Sequence, residues 1–135
     1  MKPSLKLIAT ALLAAGGLGC GEATSTATDQ PGTAVVSMTS GNAPDGAVFI
    51  TVRGPGLSSP AAATSAYTVF SRLVGSDELN VIILGTSVVS GELFTVAVSA
   101  ANRPSAYSVR VEQVATQDDS LRSDLSQYGA SLTSH

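Results

Sequence analysis

From Thr33 to Ala115 the apolar residues fall in short runs, and each run stops at a cluster of Gly, Pro, Asn, Asp or Ser. That punctuation is the strongest constraint on the fold. The runs are TAVVSMT (33–39), AVFITVR (47–53), AYTVFSRLV (66–74), ELNVIILG (78–85), ELFTVAVSA (92–100) and AYSVRVEQVA (106–115). In the second, Val48, Ile50 and Val52 share one face; in the last, Tyr107, Val109 and Val111 oppose Ser108, Arg110 and Glu112. Such alternation is the strand period, because successive side chains on a strand point to opposite faces. ELNVIILG is almost wholly apolar, the pattern of a strand covered on both sides. GNAPDG (41–46) and GPG (54–56) mark turns, with Pro44 suited to a second turn position, Gly46 to a fourth, Asp45 to the turn itself, and Gly56 to positive φ. No helical pattern separates the runs, which argues against βαβ units and a parallel sheet. The fold class is all-β, an antiparallel β-sandwich of about six to eight short strands.

One segment departs from that period. In DDSLRSDLSQYG (118–129), Leu121, Leu125 and Tyr128 stand at i, i+4 and i+7, one side of a helix. Asp118 or Asp119 would cap its start and Gly129 would end it. A short helix is expected here, with GASLTS after it returning as an edge strand or fraying. Phe49, Phe70 and Phe94 lie in strand runs and are expected in the core, as are Tyr67 and Tyr107.

The first residues follow a different logic. MKPSLK is cationic, LIATALLAAGGL (7–18) is apolar, and small residues follow, which is the order of a secretory signal. The apolar run has 12 residues, too few for the roughly 20 a spanning helix needs. Cys20 is the only cysteine, so an internal disulfide is impossible. Its place directly after the apolar run resembles the signal of bacterial lipoproteins. In that family a peptidase cuts before the cysteine and its thiol is acylated. Gly19 and Cys20 match the signal, whereas Leu18 and Gly17 depart from its usual residues. The resemblance implies a signal helix at 1–19 and a lipid on Cys20; the polar residues that follow, without apolar period, give a flexible tether over 20–31, and the strand runs give a sandwich domain over 32–135. Two or more acyl chains hold a protein stably at a membrane, since each buried methylene contributes about 0.8 kcal/mol. Gly21 follows the cysteine where inner-membrane retention would place aspartate. The resemblance therefore implies the outer membrane of a Gram-negative envelope.

Charge and residue chemistry narrow function by exclusion. Without Lys2 and Lys6, five arginines stand against ten acidic residues, a net charge of −5. No basic cluster is present for nucleic acid. The single histidine, His135, is the last residue, where fraying is expected, and no nucleophile or phosphate-loop motif occurs. Glu78, Glu92 and Glu112 lie on or beside strands, and a hydrolase would need two such carboxyls across one cleft. Asp118, Asp119 and Asp124 offer oxygen ligands for calcium, but at a spacing that fits no EF-hand loop. Capping and surface solvation account for these acids. The expectation is no enzyme, no catalytic residue, no metal and no cofactor.

The strand order, DGAVFITVRGPG (45–56) and SGELFTVAVSA (90–100) resemble cohesin-type sandwiches over residues 33–116. That resemblance implies binding through a sheet face, with no residue of this chain matched to an interface. Two functions follow as expectations. One is a lipid-anchored, non-catalytic envelope protein that binds a protein or cell-wall component through its sandwich. The alternative is a structural or spacer lipoprotein without a ligand, and a carboxylate-dependent hydrolase is the remote third. An exposed, contiguous apolar or aromatic patch separates the first from the second. For the anchor, Cys20→Ser is expected to abolish acylation. Mass spectrometry of the membrane-extracted protein checks it, and an unmodified Cys20 in the mature wild-type chain would sink it.

Overall fold

The computed structural model describes residues 28–135. The signal segment 1–19, Cys20 and most of the expected tether lie outside the described residues. The elements are β1 (Gly32–Ser40), β2 (Asp45–Arg53), β3 (Ser58–Ala62), β4 (Thr68–Val74), β5 (Glu78–Val88), β6 (Gly91–Val98), a single turn of 3-10 helix (Pro104–Ala106), β7 (Ser108–Ala115) and β8 (Tyr128–Ser134). They form two four-stranded antiparallel sheets, β3-β6-β1-β8 and β4-β5-β2-β7, packed as a sandwich. Among the described residues no helix is long and apolar enough to cross a membrane.

The period-2 pattern explains the packing. β2 turns Val48, Ile50 and Val52 inward, all fully buried, and β5 turns Leu79, Val81 and Ile83 inward beside them. From the other sheet come Val36 and Met38 of β1 and Phe94, Val96 and Val98 of β6. A register shift between Val36 and Ser37 makes room for an extra residue on β6, and Leu93 is buried there next to Phe94. Such a bulge lets two consecutive side chains leave the strict alternation.

The two ends of the sandwich are closed differently. At the end where β1 begins, the buried Tyr107 donates its hydroxyl to the Pro55 carbonyl (2.8 Å) and accepts from the Ala100 N–H (3.0 Å). Gly54 makes that possible: its φ is +148°, and a Cβ there would overlap the Tyr107 ring. Gly56 takes φ +65°, as the GPG turn requires. The incoming chain is held at this end too. The Ala101 N–H donates to the Gln30 carbonyl (2.7 Å), and Arg103 pairs with Asp29 at 2.6 Å. Residues 28–30, expected as the end of a tether, are thus tied to the domain.

At the opposite end the expected helix is absent. Residues 118–127 form turns and a single bridge, Ala115 with Leu121. Asp119 has φ +65°, which a helix does not accommodate. Leu121 is exposed while Leu125 and Tyr128 pack against the core, so the three do not share one face. Thr116 and Ser120 exchange hydrogen bonds that compete with helical ones. Gly129, expected to end the helix, lies inside β8, and β8 is well paired with β1 over seven residues. It is the edge strand expected as one alternative for GASLTS, and the His135 N–H donates to the Thr33 carbonyl (3.0 Å), so the fraying expected at His135 is not found.

A buried ion pair fixes this loop. Asp45, read from sequence as a turn residue, begins β2 and is fully buried. Its carboxylate accepts from Arg122 Nε (2.6 Å) and from the Tyr128 hydroxyl (2.8 Å). Arg122 also donates to the Asn42 carbonyl (2.7 Å). Gly46 lies in β2, and the Ala43–Pro44 bond is cis. Burial, then the bond to Asp45, pushes the Tyr128 phenol above its ordinary range. A raised phenol value stabilises the fold below about pH 10 and is lost as pH rises through the folded-state value. Asp45→Ala is expected to cost about 3 kcal/mol, because it strands a guanidinium and a hydroxyl, and to lower Tm by more than about 10 °C. Tyr128→Phe is expected to flatten the alkaline fall in Tm. Thermal melts across pH check both.

Candidate functional site

The outer faces of the two sheets differ in chemistry. On β3-β6-β1-β8 the outward residues are small and mostly polar, with Thr33, Ser37, Thr95, Ser131 and Thr133 among them. On β4-β5-β2-β7 they are not. Cross-strand register lines up Phe70, Ile82, Phe49 and Gln113 in one row, and Thr68, Leu84, Ala47 and Ala115 in the next. Phe70 is 56% exposed, Ile82 42% and Leu84 39%. Leu121, bridged to Ala115 and 66% exposed, extends the second row beyond the sheet. Apart from Gln113 and Thr68 at the row ends, these side chains make a contiguous apolar band across the sheet.

The band has relief. One hollow, about 180 Å³, lies between Phe49, Ile82, Gln113, Ala115 and Leu121. A second, about 290 Å³, lies on the other side of the Phe49–Ile82 pair and is lined by Phe70, Arg72 and Asn80. Both have mainly apolar walls, with polar groups at the rim. The following rows turn polar. Asn80 accepts from the Thr51 hydroxyl (3.1 Å), Arg53 pairs with Glu78 at 3.0 Å, and Arg110 lies 3.8 Å from Glu112.

This arrangement corrects two expectations. Phe94 is in the core, but Phe70 is exposed and Phe49 is half-buried on the outer face. β5 is not covered on both sides: Leu79, Val81 and Ile83 are buried, while Ile82 and Leu84 between them face outward. Tyr107 is buried and Tyr67 packs against the core, as expected. Alternation alone could have placed Phe49 outward, since it sits between Val48 and Ile50.

The acids singled out from sequence do not converge. Glu92 lies on the sheet opposite Glu78 and Glu112. Asp118 accepts from the Thr116 hydroxyl, and this bond, first among its causes, draws its carboxyl below the ordinary range. Asp124 is lowered mainly by the Ser126 N–H, which donates to it at 2.8 Å. Both groups are fully exposed, and their small stabilising effect is lost as pH falls through the folded-state values. Among the described residues no group of three His, Cys, Asp or Glu is placed to hold a metal. Cys20, the expected lipidation site, lies outside the described residues.

No family model, curated protein or solved structure matches the chain.

Proposed function

We propose that this chain is a lipid-anchored, non-catalytic protein of the bacterial envelope that binds a protein partner through the outer face of β4-β5-β2-β7. The observation that carries the reading is the apolar band of Phe70, Ile82, Phe49, Leu84 and Leu121. Exposed apolar area is unfavourable in water, and a contiguous apolar patch rimmed by polar residues is the usual mark of an interaction site. A spacer has no such need.

The chemistry of the band favours a protein over a glycan. Its hollows are lined by aliphatic and phenyl carbon, with few polar groups to meet sugar hydroxyls. A polar rim around an apolar centre is the common anatomy of a protein interface. Glu78 and Glu112 sit in ion pairs, Asp118 and Asp124 hold turns, and Glu92 lies on the other sheet, so binding accounts for the surface better than hydrolysis does.

Anchoring is supported by the sequence before Gly32, where a cationic start and an apolar run lead to Cys20. The outer membrane is the proposed site, from Gly21 after that cysteine. Geometry fits an anchored binder. The chain joins the domain at the end where β1 begins, and the band occupies the half of its sheet nearer the other end. The band thus lies toward the end of the sandwich farther from the point where an anchored chain would join it. The resemblance to cohesin-type sandwiches supports a sheet face as the contact surface.

Full burial of an Ile or Phe side chain contributes about 1.5–3 kcal/mol. Ile82→Asp is therefore expected to weaken partner binding roughly tenfold or more, with a folded β spectrum retained and a Tm lowered by the lost cross-strand packing on Phe49 and Phe70. Photo-crosslinking residues at positions 49 and 82, in the intact envelope, are expected to trap a discrete protein adduct. The same residue at position 133, on the other sheet, is not. Equal labelling from all three positions would overturn the reading.

A further inference from the structure

Each sheet of an open sandwich has two edge strands, and an edge with free N–H and C=O groups is a template for another strand. Three of the four edges here are blunted. β3 has five residues, contains Pro60, has Ser59 at φ +49° and slips register between Ser58 and Ala61. β7 carries Arg110 and Glu112 and a register shift against β2, and its flank is packed against β8. β8 shares that contact. β4 carries one charge, Arg72, and touches β3 of the facing sheet, but its pairing is the most regular of the four. It runs seven residues in unbroken one-to-one register with β5, without proline or acid, and six of the seven are exposed. Among the described residues its backbone is bonded to β5 alone. Its two faces are open as well: Phe70 on the outer side, and on the inner side Leu73, 51% exposed.

We infer that β4 pairs antiparallel with β4 of a second copy of this chain, joining two sandwiches through one continuous eight-stranded sheet. The strand is self-complementary. Its middle residue is Ser71, so full overlap about a two-fold axis sets Ser71 against Ser71 of the partner. Phe70 then faces Arg72, Val69 faces Leu73, and Thr68 faces Val74. Each pair lies on one face of the sheet, as the pleat demands. Arg72 is the arginine that makes this specific. Of the five in the domain, Arg53, Arg103, Arg110 and Arg122 pair with acids; among the described residues Arg72 does not. Across the axis it meets the ring of the partner's Phe70, a favourable cation–π arrangement. Sliding the register one way sets Arg72 against Arg72, a like-charge pair that opposes pairing. Sliding it the other way shortens the overlap and leaves Val74 unpaired. An isologous contact of this kind closes on itself and stops at the dimer.

The test uses the full chain in detergent, with Cys20→Ser so that an introduced thiol is the only one. Ser71→Cys is expected to give a disulfide-linked dimer on mild oxidation, since directly opposed residues on paired strands bring Cβ atoms to about 4.5–5.5 Å. Thr133→Cys, an exposed position on the covered edge strand β8, is expected to remain unlinked. Without oxidant, sedimentation is expected to show twice the monomer mass. Leu73→Lys, and separately Arg72→Glu, are expected to abolish both the dimer and the Ser71→Cys link while circular dichroism still shows a folded β protein. A monomer at every concentration, equal linking at positions 71 and 133, or a dimer that survives both variants would overturn the proposal. None of these outcomes decides the outer-face reading, which shares only Phe70 with this edge and is tested at positions 49 and 82.

Discussion

A strand that buries one face must show the other, and β2 is where that rule bears hardest on this molecule. Val48, Ile50 and Val52 are fully buried, which turns Phe49 and Thr51 outward. β2 lies between β5 and β7, so its commitment is passed through the ladder to its neighbours. Ile82 and Leu84 go outward because Val81 and Ile83 go inward. No helix or third sheet covers them among the described residues. The apolar band is thus the other side of the core, produced by one alternation and an apolar choice at both parities. The opposite sheet obeys the same rule with different residues: where Val36 and Phe94 go inward, Ser37 and Thr95 go outward. Chemistry at the outward positions, and not the fold, distinguishes the two surfaces.

The buried carboxylate of Asp45 links this surface to the chain's last third. Arg122 and Tyr128 both reach it, one from the 116–127 loop and one from the start of β8. A carboxylate removed from water needs partners of this quality. With Arg122 held, the loop before it lies against the end of β7, where Leu121 bridges to Ala115 and closes one hollow of the band. The same clasp that secures the sandwich also positions a wall of the candidate site.

How much of this could be read from the chain depends on the range of the interaction. The six strand runs and their turns were legible, because alternation is local and Gly and Pro stop it locally. β3 was not, since SSPAA has neither β-branched residues nor an apolar alternation, and it is held by pairing with β6. The 118–129 helix was misread for the same reason. Leu121, Leu125 and Tyr128 have helical spacing, but Tyr128 is claimed by Asp45, 83 residues away. A contact at that separation overrides a weak local propensity. Phe49 and Phe70 were misplaced by composition: aromatic residues are usually interior, and only the parity of their neighbours says otherwise.

Edge and face then constrain one another. Phe70 belongs to both: it ends the apolar row that begins at Phe49 and it lies on the free strand β4. Antiparallel pairing through β4 about Ser71 would keep every outward residue outward, so it leaves Ile82 and Phe49 uncovered while setting a guanidinium against Phe70. The two bands would lie on the same side of the joined sheet, diagonally opposed across the axis. A partner bound there would meet two apolar surfaces separated by a strip bearing Arg72 from each copy. The strand edge and the sheet face are therefore not competing uses of one apolar surface. The first decides how many copies of the second are presented, and it does so without removing either from solvent.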